Sequence, residues 1–148
     1  LAKWKGATVI GTASAANHAF VQGLGCDQVI DYKHQKVGEV LQDIDLIIDG
    51  VGGQTAIDAL TCLKASGTMI TLPSITKDEV IAAGAAQGLN VLPLRVEPNA
   101  GQLSTIATLH AQQQLQLKIA ATYPLEKAAD AFSDNAAGHT QGKVILTV

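Results

Sequence analysis

Aromatic side chains make up only 3% of the 148 residues. That scarcity withholds the stacking platforms a single-strand nucleic-acid binder uses and leaves Val, Ile, Leu and Ala to build the core. Positive charge is also short: ten Lys and Arg stand against thirteen Asp and Glu, for a formal net charge of -3. With no basic cluster, no nucleic-acid or anionic-membrane partner is expected. No apolar run approaches the roughly 20 residues that span a bilayer. The two cysteines, Cys26 and Cys62, show neither metal-ligand spacing nor a disulfide framework, so they are read as reduced thiols and the protein as cytoplasmic. His34, His110 and His139 lack partners at ligand spacing and are read as surface or packing residues, so no metal site is expected. An initiator Met is missing too. The start, Leu1-Ala2-Lys3-Trp4-Lys5-Gly6, reads as the end of a helix already under way, stopped at Gly6, and the expectation is a fragment of a longer protein. What is present is 47% hydrophobic and 16% charged, the balance of one folded domain with a real core.

The organising stretch is Ala7-Thr8-Val9-Ile10-Gly11-Thr12-Ala13-Ser14. Its β-branched residues predict a strand over residues 7–11, Gly11 would let a ligand approach the backbone, and Ser14 would cap a helix over residues 15–24 that Gly25 ends. Further strands are expected at residues 28–32, 45–49, 68–72, 89–94 and 143–148, and a weak helix at 37–42. The apolar run of residues 45–49 suits a central parallel strand covered on both faces. Gly50-Val51-Gly52-Gly53 follows it as a tight turn, and a helix carrying Ile57, Leu60 and Leu63 leads to Gly67. Thr76 with Glu79 forms a capping box for a helix over residues 77–87. Asn99 should cap a helix to about residue 114 with Leu103, Ile106 and Ala107 inward, and Pro124 should open another with a stripe of Leu125, Ala128, Ala129, Phe132 and Ala136. This alternation specifies an α/β fold with a doubly wound parallel sheet.

In such sheets ligands bind at the carboxyl ends of the strands, and an acidic residue at the end of the second strand of a dinucleotide fold holds the ribose 2′-hydroxyl. Thr12, Ala13 and Ser14 occupy that place. None repels a 2′-phosphate, so a dinucleotide site here favours NADP over NAD.

Four segments carry a family resemblance: Gly11-Thr12-Ala13-Ser14; Val29-Ile30-Asp31-Tyr32; Asp49-Gly50-Val51-Gly52-Gly53; and the tail Tyr123-Pro124-Leu125-Glu126-Lys127-Ala128-Ala129 with Gly142-Lys143-Val144-Ile145-Leu146. In order and spacing the chain resembles the cofactor-binding half of the medium-chain dehydrogenase/reductase superfamily, and within it the zinc-independent, NADPH-dependent quinone oxidoreductases. The resemblance implies that Ser14 and Tyr32 meet the 2′-phosphate and adenosine. His18 stands where several members carry a basic residue. Gly11 and Thr12 belong to the same turn, Gly50, Val51 and Gly52 line the central part of the cofactor, and Thr71, Leu72, Pro73 and Ser74 lie beside the nicotinamide. It also implies hydride transfer from NADPH to a quinone or electron-poor alkene or carbonyl held by an N-terminal domain absent from this sequence. The tail, residues 115–148, would pack partly on that domain. A homodimer through residues 89–94 is a further implication.

The sequence departs from the family pattern at its beginning. The first Rossmann strand and its glycine-rich diphosphate loop are not here, so the chain alone is expected to be inactive and to bind NADP(H) weakly. The strands at residues 7–11 and 45–49 would flank the missing one, and the expectation is that outside material, a neighbouring copy or direct pairing of the two fills the place. Two other classes compete. A non-catalytic nucleotide-sensing or oligomerisation domain would share the fold. A phosphoacceptor receiver domain is suggested by Asp49 after an apolar strand, but Thr12-Ala13-Ser14 and Leu72-Pro73-Ser74 lack its acidic pair and lysine. A strand-end carboxylate such as Asp49 more commonly satisfies loop amides.

Overall fold

A computed structural model describes residues 1–138 and 140–148; His139 lies outside the described residues. The chain divides into two compact units, residues 2–98 and residues 99–148 with Leu1.

In the larger unit, β1 (Ile10–Ala13) and β2 (Gln28–Asp31) pair in parallel, with Gly11 opposite Val29 and Ala13 opposite Asp31. The strand begins later than its β-branched run predicts. The Val9 amide donates instead to the Asp27 carboxylate at 2.7 Å, and Lys3 Nζ donates to the same group at 2.9 Å. These two contacts, the Val9 amide first, hold the Asp27 carboxyl below its ordinary range. The helix expected over residues 15–24 is split into a 3-10 turn, Ala15–Asn17, and α1 (His18–Gly23). Gly25 ends it with φ +102°, its amide donating to the Gln22 carbonyl.

After the short α2 (Val37–Val40), β3 (Ile44–Asp49), β4 (Leu63–Thr71) and β5 (Asn90–Pro93) form a parallel sheet in the order β3-β4-β5. The crossovers are α3 (Gly53–Ala59), followed by a 3-10 turn, and α4 (Lys77–Ala86). Parallel strands joined through helices make the arrangement Rossmann-like. Of the three ways expected to fill the place between β1 and β3, direct pairing is not the one adopted: among the described residues β1 pairs only with β2, and β3 only with β4. Nor is β3 covered on both faces, since Leu46 and Ile48 are 53% and 58% exposed. An apolar run reports that a strand suits burial, not what covers it.

The core lies between β3-β4-β5 and the two helices: Ala56, Leu60, Leu63, Met69, Val80 and Val91 are buried together. Each large member contributes about 1.5–3 kcal/mol by leaving water. Gly84 brings α4 close to the sheet, because a Cβ there would lie 2.2 Å from Val91 Cγ2. The capping box fails in detail. Thr76 is the N-cap but has φ −106° and ψ 0°, and its side chain makes no cap bond. Its Oγ1 is buried without a partner and pressed against Gly52, where an added Cβ would lie 2.1 Å away.

Burial raises both thiols, helped at Cys26 by the charge of Asp27; the Cys62 Sγ donates to the Ala59 carbonyl. Alkylation by iodoacetamide at pH 8 should therefore be several-fold slower at both than at an unstructured cysteine, with Cys62 the slower. Peptide mapping of the alkylated protein checks this, and rates equal to that of a free thiol would contradict it.

In the smaller unit Asn99 caps α5 (Ala100–Ala111) as expected, its Oδ1 accepting from the Gln102 amide at 2.9 Å. The buried residue is Leu109, however, while Leu103 is 68% exposed and Ile106 and Ala107 are exposed as well. A strand not expected from sequence, β6 (Ile119–Pro124), pairs in parallel with β7 (Lys143–Thr147). Pro124 thus ends a strand and precedes the 3-10 turn Leu125–Lys127; the helix proper, α6, runs Ala128–Ala136 and buries Ala131, with Phe132 71% exposed. The Tyr123 hydroxyl donates to the Asp134 carboxylate, which holds the phenol above its ordinary range.

Candidate functional site

The expected site residues fall at the carboxyl ends of the parallel strands in residues 2–98, in two groups. The first follows β1 and β2. Ser14 has extended backbone, φ −67° and ψ 154°, which suits a cap. Its hydroxyl nevertheless makes no cap bond; the adjoining turn is closed through the backbone, by the Asn17 amide on the Ser14 carbonyl at 2.8 Å. The capping role expected of it is therefore wrong, and the hydroxyl is left for other work. Thr12 is exposed. Gly11 has a packing reason: a Cβ there would lie 3.0 Å from Cys26 Sγ and 3.1 Å from Val21 Cγ1, so on that face it admits α1 and no ligand.

His18, the first residue of α1, is partly buried and bonds through Nε2 to the Ala13 carbonyl at 3.2 Å. Tyr32 follows β2 and is 57% exposed. Beside it the Asp31 carboxylate accepts from His34 Nδ1 at 2.8 Å and from the Lys33 amide at 3.0 Å. These bonds, His34 first, hold its carboxyl below the ordinary range, and the nearby His18 adds to the effect. His34 is therefore a surface partner of Asp31, and His110 bonds the Leu115 carbonyl at 3.0 Å.

The second group is built on Asp49, the last residue of β3. One carboxylate oxygen accepts from the amides of Val51 and Gly52, both at 2.9 Å, and the other from the Thr71 hydroxyl at 2.7 Å. Both residues are buried. Asp49 thus satisfies loop amides, the commoner fate of such a carboxylate, and both its oxygens are engaged inside the molecule. Gly52 must be glycine, with φ +77° and no room beside Pro73 and Thr76. Gly50 has open space around it, and Val51 is exposed.

Thr71, Leu72 and Ser74 line a cavity of about 320 Å³ with Lys77, Pro93, Leu94 and Arg95. Pro73 packs against Gly52 instead. Thr71 serves mainly as a structural link, since its side chain is buried and its carbonyl accepts from the Leu94 amide at 3.2 Å. Sequence reasoning missed Lys77 and Arg95, which form no salt bridge among the described residues. A signal existed: Arg95 is the sole arginine of the chain and stands just beyond a strand end. Among the described residues no three His, Cys, Asp or Glu side chains group as a metal ion would require, and no helix is long and apolar enough to cross a membrane.

The profile of the zinc-binding dehydrogenase family matches residues 24–146. A solved quinone oxidoreductase from Coxiella burnetii superposes with a TM-score of 0.94 at 33% identity, over 99% of this chain and 47% of its own. The probable mitochondrial zinc-binding oxidoreductase of Arthroderma benhamiae is 28% identical over 95% of this chain and 44% of its own length. The human mitochondrial NAD(P)H oxidoreductase RTN4IP1 is 30% identical over 86% of this chain and 38% of its own. The chain spans just under half the length of the relatives it matches.

Proposed function

Because this chain belongs to the zinc-binding dehydrogenase family, we propose that it supplies part of the cofactor site of an NADPH-dependent oxidoreductase that reduces a quinone or electron-poor alkene or carbonyl. The observation that carries the choice of NADPH is the group at the β1 and β2 ends. There the Ser14 hydroxyl caps nothing, the Tyr32 phenol is exposed and the His18 imidazole is at hand. The hydroxyl and the phenol can donate to phosphate oxygens, and the imidazole can do so when protonated. The carboxylate next to Tyr32, that of Asp31, already accepts two hydrogen bonds from its own neighbours.

These residues fit an adenosine 2′-phosphate. The loop of Gly50, Val51 and Gly52, pinned by Asp49, would line the middle of the cofactor, and the cavity past Thr71, Leu72 and Ser74 would take its nicotinamide end. When bound, the nicotinamide supplies the hydride. The chain's part is to hold and orient it, and Lys77 and Arg95 put positive charge at the cavity where an electron-rich product would form. In this reading the substrate is held chiefly by a domain outside this chain, and the open edges of β1 and β3 receive a strand from outside these residues. A second copy would dock through β5. The residues described here offer no metal site, and the reading routes no step through zinc.

In the full-length protein, Ser14→Ala and Tyr32→Phe should each raise the KM for NADPH by about 10- to 100-fold, the loss of one hydrogen bond to a charged group. The KM for NADH should hardly change. Steady-state kinetics with a quinone acceptor measure both, and an unaltered NADPH/NADH ratio would reduce both residues to structural ones.

A further inference from the structure

We infer that His18 makes recognition of the 2′-phosphate dependent on its own protonation, so that the preference for the phosphorylated cofactor is a function of pH. The inference rests on the reading above that a 2′-phosphate binds beside Ser14. It comes from the bond between His18 Nε2 and the Ala13 carbonyl at 3.2 Å. A carbonyl oxygen can only accept, so Nε2 must carry the hydrogen. In a neutral imidazole the other nitrogen, Nδ1, then has a lone pair and no proton. Toward a phosphate oxygen such a nitrogen is an acceptor facing an acceptor. Once the ring is protonated, Nδ1 becomes a donor while the Ala13 bond is kept, and the ring brings a full positive charge. A lysine at this position would carry charge throughout the neutral range, whereas an imidazole exists in both a neutral and a charged form there.

The surroundings set the sign. Of the elements against α1, β1 and the 3-10 turn contain no titratable side chain, and β2 contributes Asp31 alone. The Asp31 carboxyl is held low chiefly by His34, then by the Lys33 amide, with His18 also acting on it. The Asp31 charge is offset in part by Lys33, two residues on, and engaged by His34, so it does not replace the charge the ring itself would bring to a phosphate. Phosphate binding should therefore be accompanied by proton uptake at neutral pH, and the preference for the 2′-phosphate should fall as pH rises.

The test is calorimetric titration of the full-length protein with adenosine 2′,5′-bisphosphate and with 5′-AMP at pH 6 and pH 8.5, repeated in buffers of different ionisation enthalpy. The wild type should lose about tenfold of its preference for the bisphosphate between the two pH values, the worth of one charge-assisted contact. It should also take up protons on binding near neutral pH. His18→Lys carries the same titration of the phosphate itself, so it isolates the imidazole; its preference should stay level or rise with pH, with the extra uptake gone. If the wild type and the Lys variant show the same pH profile, the coupling through His18 is overturned and the NADP reading stands. If the wild type shows no preference for the bisphosphate even at pH 6, the NADP reading itself fails.

Discussion

Asp49→Ala should lower the stability of the protein by about 3 kcal/mol, because it removes an acceptor serving three buried or partly buried donors and leaves them unsatisfied. The donors are the Val51 and Gly52 amides and the Thr71 hydroxyl. Asp49→Asn is the control. Its carbonyl oxygen can still accept from both amides, and the Thr71 hydroxyl can turn to accept from the new NH₂ group, so the cost should be about half as large or less. Urea unfolding, with the slope compared between variants, measures both. A cost below about 0.5 kcal/mol for the alanine would mean that the clamp is not holding the loop. The same variant should weaken cofactor binding, since among the described residues no other side chain accepts from the amides of the turn after β3.

Gly142→Ala should be of similar size, about 2–3 kcal/mol, with a different origin. Gly142 has φ +119°, and a Cβ there would lie 2.3 Å from the Lys118 carbonyl oxygen, the atom that accepts from the Lys143 amide at 2.9 Å. Backbone cannot yield as a flexible side chain does, so β6 and β7 should part at their first pair. Gly138 separates strain from collision: it also has a positive φ, +74°, but nothing lies within 4 Å of an added Cβ. Gly138→Ala should cost only about 1 kcal/mol. Hydrogen exchange on the full-length protein should show protection lost in β6 and β7 for Gly142→Ala and kept for Gly138→Ala. Equal losses in the two variants would remove the collision from the account.

Much of this was legible in the sequence, because strands marked by β-branched residues and helices ended by glycine depend on local chemistry. The β-α alternation, the Gly25 stop and the Asn99 cap were all readable in that way. What escaped needed partners far along the chain. Thr76 and Glu79 satisfy the pattern of a capping box, yet the hydroxyl is occupied by its packing against Gly52. Spacing showed that Leu103, Ile106 and Ala107 share a helix face, but not that the chain buries Leu109 in their stead. The strand β6 was missed because Ile119-Ala120-Ala121-Thr122-Tyr123-Pro124 is weak in strand formers and ends in a proline that also reads as a helix start. Lys77 and Arg95 become neighbours only where β4 and β5 end side by side.

The bond between Asp49 and Thr71 crosses 22 positions of sequence to join the ends of β3 and β4. For anyone exchanging these loops between relatives, this makes the two segments a single transplantable part. A graft that imports one without the other's matching hydroxyl or carboxylate would arrive with a buried polar group lacking its partner.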